Sequence, residues 1–235
     1  MIKVFSAIIN NSVMKKLILI FTIITIAISC KKADAECVDC LTFYFENPQP
    51  DKDSELDHFP NKFRGLYVNA DSIFIRIDED LIMKEYFYKS KIHKLALDSL
   101  KETFDIVDGK LIVKNTKDVY EMLPKGDSIE LIQKNTDTLF RFSLFKKAKR
   151  IDGQLILSSK DSIYWTVEFL SIQNDSIKFK RLYDQKNLKK LDSITKIKAK
   201  MLDSTSYLIK PTRREFKKIL KIKDRSWDIG YKKVS

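Results

Sequence analysis

The 235-residue sequence predicts a mainly β fold: an antiparallel meander, barrel-like or a sandwich, with a short C-terminal α-helix. Three observations predict it. First, apolar residues alternate with polar ones in four runs: Ile73, Ile75, Ile77; Phe140, Phe142, Leu144; Ile163, Trp165, Val167, Phe169; and Ile177, Phe179. Period-2 alternation puts one set of side chains on the buried face of a strand. Second, Asp-Ser recurs eight times, at 53, 71, 98, 127, 161, 175, 192 and 203, and Ile or Leu follows six of these pairs. Asp and Ser side chains bond the nearby backbone, which makes them turn residues between strands. Third, Pro211 precedes Thr212-Arg213-Arg214-Glu215, a capping box that opens a helix over 212–222. Phe216, Ile219 and Leu220 give that helix an apolar stripe, and Lys217, Lys218 and Lys221 take its other side.

Taken in order, the alternation and its turn punctuation predict strands at 64–69, 72–78, 81–89, 110–114, 118–123, 128–134, 138–145, 154–158, 162–172 and 176–182. Residues 93–104 fit neither period, because Leu95, Leu97 and Leu100 are spaced for neither element. Leu188, Leu191 and Ile194, three apart, predict a second helix over 187–197. The Asp-Ser spacing has no fixed period, which argues against a solenoid or propeller.

The N-terminal end carries a different signal. Lys15 and Lys16 precede an uncharged apolar run, Leu17 to Ala27, and the small residue Ser29 stands before Cys30. A charged start, a short apolar run and a small-residue cleavage site make a secretory signal. The run is shorter than the roughly 20 residues a spanning helix needs. Ile26-Ala27-Ile28-Ser29-Cys30 resembles the lipobox of bacterial lipoproteins, with Ala27 where that family usually has Leu, Val or Ile. The resemblance implies cleavage before Cys30 and acylation of that cysteine. The expected organisation is a signal over 1–29 whose true start is Met14, and a lipidated tether over 30–58. A β-rich domain follows over 59–235, with a candidate subdomain boundary near 146–153. Pro48, Pro50 and the run Asp51-Lys52-Asp53-Ser54 mark the tether as linker, and the patch Phe43-Tyr44-Phe45 is expected to dock on the domain.

Charge and cysteines narrow the function classes. The formal charge is +12, and about +9 remains after Cys30, since Lys3, Lys15 and Lys16 lie ahead of it with no acid beside them. Most of the lysines alternate with acids and apolar residues, as in Ser176-Ile177-Lys178-Phe179-Lys180, and read as solvated strand faces. An exported chain seldom meets nucleic acid, so no such partner is expected. Beyond Cys30 there are only Cys37 and Cys40, a lone Cys-x-x-Cys. Redox chemistry needs a cysteine at a helix start, and a zinc site needs about four ligands. An extended run follows Cys40 and no second pair exists, so a Cys37–Cys40 disulfide is the expectation in an oxidising compartment.

No catalytic motif is present. Five glycines leave little room for a phosphate-binding or dinucleotide loop or a nucleophile elbow. The two histidines, His58 and His93, have no partners nearby in sequence that would make either a base. Asp78-Glu79-Asp80 falls at a turn. Trp165 is expected in the core and Trp227 as a packing residue. No catalytic residue, metal or cofactor is therefore expected.

Three stretches together resemble a group of bacterial cell-envelope lipoproteins with β-rich bodies and no assigned activity. They are Asn47–Pro50 with Phe59–Tyr67, then Trp165–Ile172, then Lys210–Phe216. The resemblance implies attachment to the envelope through lipid on Cys30, with the outer membrane favoured, and Lys31 is compatible with that sorting. The expected function is a non-catalytic binding or assembly module with a protein or glycan partner. The alternatives are an immunity-type inhibitor capping a partner protein, or an enzyme built on a carboxylate site.

Overall fold

The computed structural model describes residues 40–99, 101–196, 198–222 and 229–234. The chain divides into two units after Cys40, and nearly all of the described residues belong to the second.

That unit is mainly β, one large and almost wholly antiparallel sheet that does not close on itself. The Asp-Ser and Asp-Gly punctuation explains its hairpins. Strands β3 (Gly65–Val68) and β4 (Phe74–Ile77) meet at a turn where Asn69 Oδ1 accepts the amides of Asp71 and Ile73, at 3.0 and 2.9 Å. β10 (Lys146–Ile151) and β11 (Gln154–Asp161) are joined by Asp152-Gly153, both left-handed at φ 47° and 81°. β12 (Tyr164–Gln173) and β13 (Ser176–Lys180) are joined by Asn174-Asp175, at 47° and 55°. Two successive left-handed residues form the turn whose twist matches that of a hairpin. Two of the eight Asp-Ser pairs serve differently, since 98–99 and 192–193 lie in helices. In a helix these same short polar side chains bond locally instead of turning the chain.

β11 and β12 are the centre of the unit. They pair over seven residues, from Leu155↔Leu170 to Asp161↔Tyr164. Their alternate side chains feed two cores. On one face Ile156, Trp165, Val167 and Phe169 join Phe43, Phe45, Tyr207, Ile209, Leu191, Phe216 and Ile219. Helices α2 (Gln185–Ile194) and α3 (Arg213–Ile219) supply the last three of these. On the other face Leu155, Leu157 and Leu170 meet Phe59, Phe63, Tyr67, Ile75, Ile77, Ile82 and Phe140. The sheet runs from β13 through β16 (Ile229–Lys233), β3, β4, β5 (Leu81–His93) and β9 (Ser128–Arg141), and so curls round to place those residues there.

β5 and β9 are the longest strands and pair from Leu81↔Arg141 to His93↔Ser128. Their far half leaves the body as an arm. It continues through β8 (Val119–Lys125), β7 (Lys110–Val113) and the edge strand β6 (Phe104–Val107). The short helix α1 (Lys94–Ser99) sets Leu97 against Phe104, Leu111 and Ile129. At the arm's root, Glu85 binds Lys134 at 2.8 Å and Arg76 at 3.4 Å, tying β4, β5 and β9 together.

Several expectations change. The tether assigned to 30–58 ends earlier than expected. Thr42–Phe45 is strand β1, parallel to β15 (Ser206–Ile209) and joined to β12 through Phe45↔Trp165. Phe43 and Phe45 are buried, so the aromatic patch is part of the core itself. Glu55–Leu56 forms β2, which pairs with β10. The segment near 146–153, read as a candidate boundary, is the β10–β11 hairpin; Ala148 and Ile151 lie in the two cores. The runs 128–134 and 138–145 are largely one strand, because Asn135, Thr136 and Asp137 pair with β5 instead of turning. Trp165 is buried as expected, and Trp227 lies outside the described residues.

Candidate functional site

The described residues offer two places where function could reside: a pocket in the body and the arm. The pocket forms where β12 and β13 meet the curled limb of the sheet. Its volume is about 250 Å³, and its apolar lining is Ile75, Leu139, Phe179, Ile229 and Tyr231. Glu168, Lys180 and Arg181 supply the charge. Glu168 stands on the face of β12 that carries Leu170, pairs across to Leu157, and is half-buried. Burial pushes its carboxyl above the ordinary range, and Arg181 and Lys146 pull the other way. Burial likewise raises the Tyr231 phenol, with Asp71 adding to it.

A carboxyl in an apolar wall could act as a proton donor. Glycoside hydrolysis, however, needs a second carboxyl across the cleft, and no other acid lines this pocket. The volume also falls below the roughly 300–1,000 Å³ typical of drug-sized ligands. The pocket therefore gives the enzyme reading one of its requirements and withholds another.

The arm presents a different surface. Its face toward α1 holds the Leu97 cluster, with Tyr88 and Ile106 on the same face left exposed. On the opposite face, Phe87, Val107, Val119 and Leu123 are 43–51% exposed, interleaved with Lys89, Lys91, Lys110 and Lys125. The strand register places Lys89, Ile132, Glu121, Lys110 and Val107 in one row across β5, β9, β8, β7 and β6. Among the described residues β6 closes the strand order with no strand beyond it, and its Ile106 is 53% exposed. An edge strand presents unpaired backbone groups that can take up another chain.

No protein-family profile, curated protein or solved structure matches the chain.

The residues singled out in the sequence fall as follows. Cys30 and Cys37 lie outside the described residues, and Cys40 is disulfide-bonded. His58 is exposed and 2.5 Å from Asp57. His93 is exposed, and its Nδ1 accepts the Leu95 amide at 3.2 Å. Asp78-Glu79-Asp80 forms the β4–β5 turn, with Glu79 bound to Arg64 at 3.2 Å and Asp80 to Arg141 at 3.6 Å. None of these lines the pocket. Among the described residues no group of three or more acids, histidines or cysteines could hold a metal, and no helix is long and apolar enough to cross a membrane.

Glu168 was missed because alternation along Ile163–Phe169 assigns it to the solvent face. Leu170 and Ile172 were the available signal. They continue the Glu168 face with apolar residues and so mark a strand buried on both sides.

Proposed function

We propose that the protein is a cell-envelope lipoprotein, held to the membrane through acylated Cys30, that acts as a non-catalytic binding or assembly module. The arm is its contact surface for a partner protein. One observation carries this reading: β6, an edge strand with no neighbour on one side among the described residues, adjoins a face with four large exposed apolar side chains. Scattered exposed apolar residues are ordinary, whereas a grouping of them beside an open sheet edge fits association. An immunity-type inhibitor would use the same surface, and differs only in what it covers. The lone carboxyl of the pocket gives the enzyme reading less support.

The test joins anchor and arm. Native envelopes are cross-linked, and the lipidated protein is recovered alongside a Val107→Lys/Leu123→Lys variant. A protein captured by the parent and absent from the variant supports the arm as the contact surface. Equal capture by both removes the arm from the reading. In the same cells Cys30→Ser should move the protein to the fractions released by a high-salt wash; retention in the membrane through that wash would overturn the lipid anchor.

A further inference from the structure

The charge of this chain is unevenly placed. From Asp184 to Lys221 there are twelve Lys and Arg residues against four acids. This stretch contains both helices that cover the Phe216 core. Its acids are occupied with the backbone. Asp184 Oδ1 accepts the Asn187 amide at 2.6 Å, and Asp192 Oδ1 accepts that of Ala199 at 3.3 Å. Asp203 Oδ1 accepts the Thr205 amide at 2.8 Å, and Glu215 accepts those of Lys196 and Thr212 at 2.6 and 2.9 Å. Lys210 is paired with Glu46 and Lys198 with the Asp192 carbonyl, while others on the two helices point outward. Lys186 and Lys189, i and i+3 on α2, are exposed, while Leu191 and Asn187 face in. Arg214, Lys218 and Lys221, spaced i, i+4 and i+7, are exposed along one side of α3 and its last turn. That side faces α2, since Lys218 Nζ reaches the Ile194 carbonyl at 3.5 Å. The other basic side of α3 is tied down: Arg213 binds Asp53 and Lys217 binds Asp152.

The helical layer also adjoins the start of the domain. The Leu41 amide donates to the Tyr183 carbonyl at 2.5 Å, one residue before the N-cap of α2. Only ten residues lie between Cys30 and Leu41, eleven Cα–Cα steps in all. A chain of that length spans at most about 40 Å even when fully extended.

We propose that this basic helical layer lies against an anionic phospholipid bilayer and orients the domain on it. The proposal rests on the lipid-anchor reading for its setting but not for its chemistry. The contact is electrostatic and does not insert, because Phe216 and Ile219 are already fully buried in the core. Beside a lipid anchor, a basic patch adds electrostatic attraction to anionic lipid, which can set the orientation of the domain on the surface. Each Lys or Arg near an anionic surface contributes roughly fivefold to partitioning, so removing three costs on the order of a hundredfold.

The test uses the full chain carrying Cys30→Ser, so that no lipid contributes, and vesicles of equal parts phosphatidylglycerol and phosphatidylcholine. Co-sedimentation is expected with these vesicles, not with pure phosphatidylcholine, and should fade as salt screens the charges. Lys189→Gln/Arg214→Gln/Lys221→Gln should abolish it, while Lys89→Gln/Lys91→Gln/Lys110→Gln on the arm should leave it intact. Circular dichroism of both triple variants reports whether they remain folded. Equal binding to the two vesicle types, or equal loss in both folded triple variants, would overturn the proposal. Binding by the Cys30→Ser chain together with absence of lipid from native Cys30 would overturn the anchor and leave this inference standing.

Discussion

The body and the arm are built from the same alternating strands, yet they are held together differently. In the body, β11 and β12 are buried on both faces, between the Phe216 and Phe140 cores. In the arm, a single cluster of Leu97, Phe104, Leu111 and Ile129 lies on one face, and the other is open. Strand pairing continues from one to the other along β5 and β9. Period-2 alternation therefore makes a strand in both places, while burial on the second face separates a rigid body from an appendage. Segments with few buried apolar contacts open at lower free energy than the global unfolding. Glu85 sits at the border, its carboxyl held below the ordinary range chiefly by Lys134.

The largest expected effect lies in the body. Phe216 is fully buried and packs against Phe45 and Phe169, with ring centroids at 6.1 and 5.9 Å. Phe216→Ala should cost about 3–5 kcal/mol of global stability. Denaturant titration would show it as a lowered midpoint, with both body and arm amides losing protection in hydrogen exchange. Leu111→Ala should cost less, about 2 kcal/mol, near the lower end for such truncations. Its loss should be confined to arm amides while the global midpoint barely moves. If Leu111→Ala lowers the global midpoint as Phe216→Ala does, the arm and body are one cooperative unit and the contrast between them fails.

The contrast also explains what the sequence made legible. β4, β13 and the Trp165–Phe169 part of β12 alternate, and Asp71-Ser72, Asp161-Ser162 and Asn174-Asp175 turn the chain beside them, so both period and punctuation could be read there. The same holds for α3, whose capping box forms as expected: the Thr212 hydroxyl accepts the Glu215 amide, and the Glu215 carboxylate accepts the Thr212 amide. β10 was hidden by its lysines. Lys149 is buried, but its Nζ donates to the carbonyls of Pro48 and Pro50 at 3.0 and 2.9 Å, and burial lowers its pKa. A lysine is read as solvent-facing unless its acceptors are known, and here they lie about 100 residues away. β1 and β15 were hidden because they pair in parallel over a long separation, which no local turn announces. The open face of the arm was equally unreadable: exposure is a property of what fails to cover a strand, and that is decided by the rest of the fold.

The smallest predicted effect tests whether the helical layer of the body is locked by charge as well as by packing. Glu215 is buried, and both of its carboxylate oxygens accept. Oε1 takes the Lys196 amide at 2.6 Å, and Oε2 takes the Thr212 amide and hydroxyl at 2.9 and 2.8 Å. These donors, the Lys196 amide first, hold its carboxyl below the ordinary value of 4.5. A group with a lowered folded pKa stabilises fully above its unfolded pKa, and that stability is lost as pH falls through the folded one. Glu215→Gln keeps the shape but presents an amide N–H₂ to one of the two donor sets. It should therefore cost about 1 kcal/mol at neutral pH. The gap between parent and variant should narrow as pH drops below about 4.5. Thermal melts of the two proteins across that range provide the measurement. A gap that stays constant into acid would show that the carboxylate charge contributes nothing, and that packing alone holds α3 on the body.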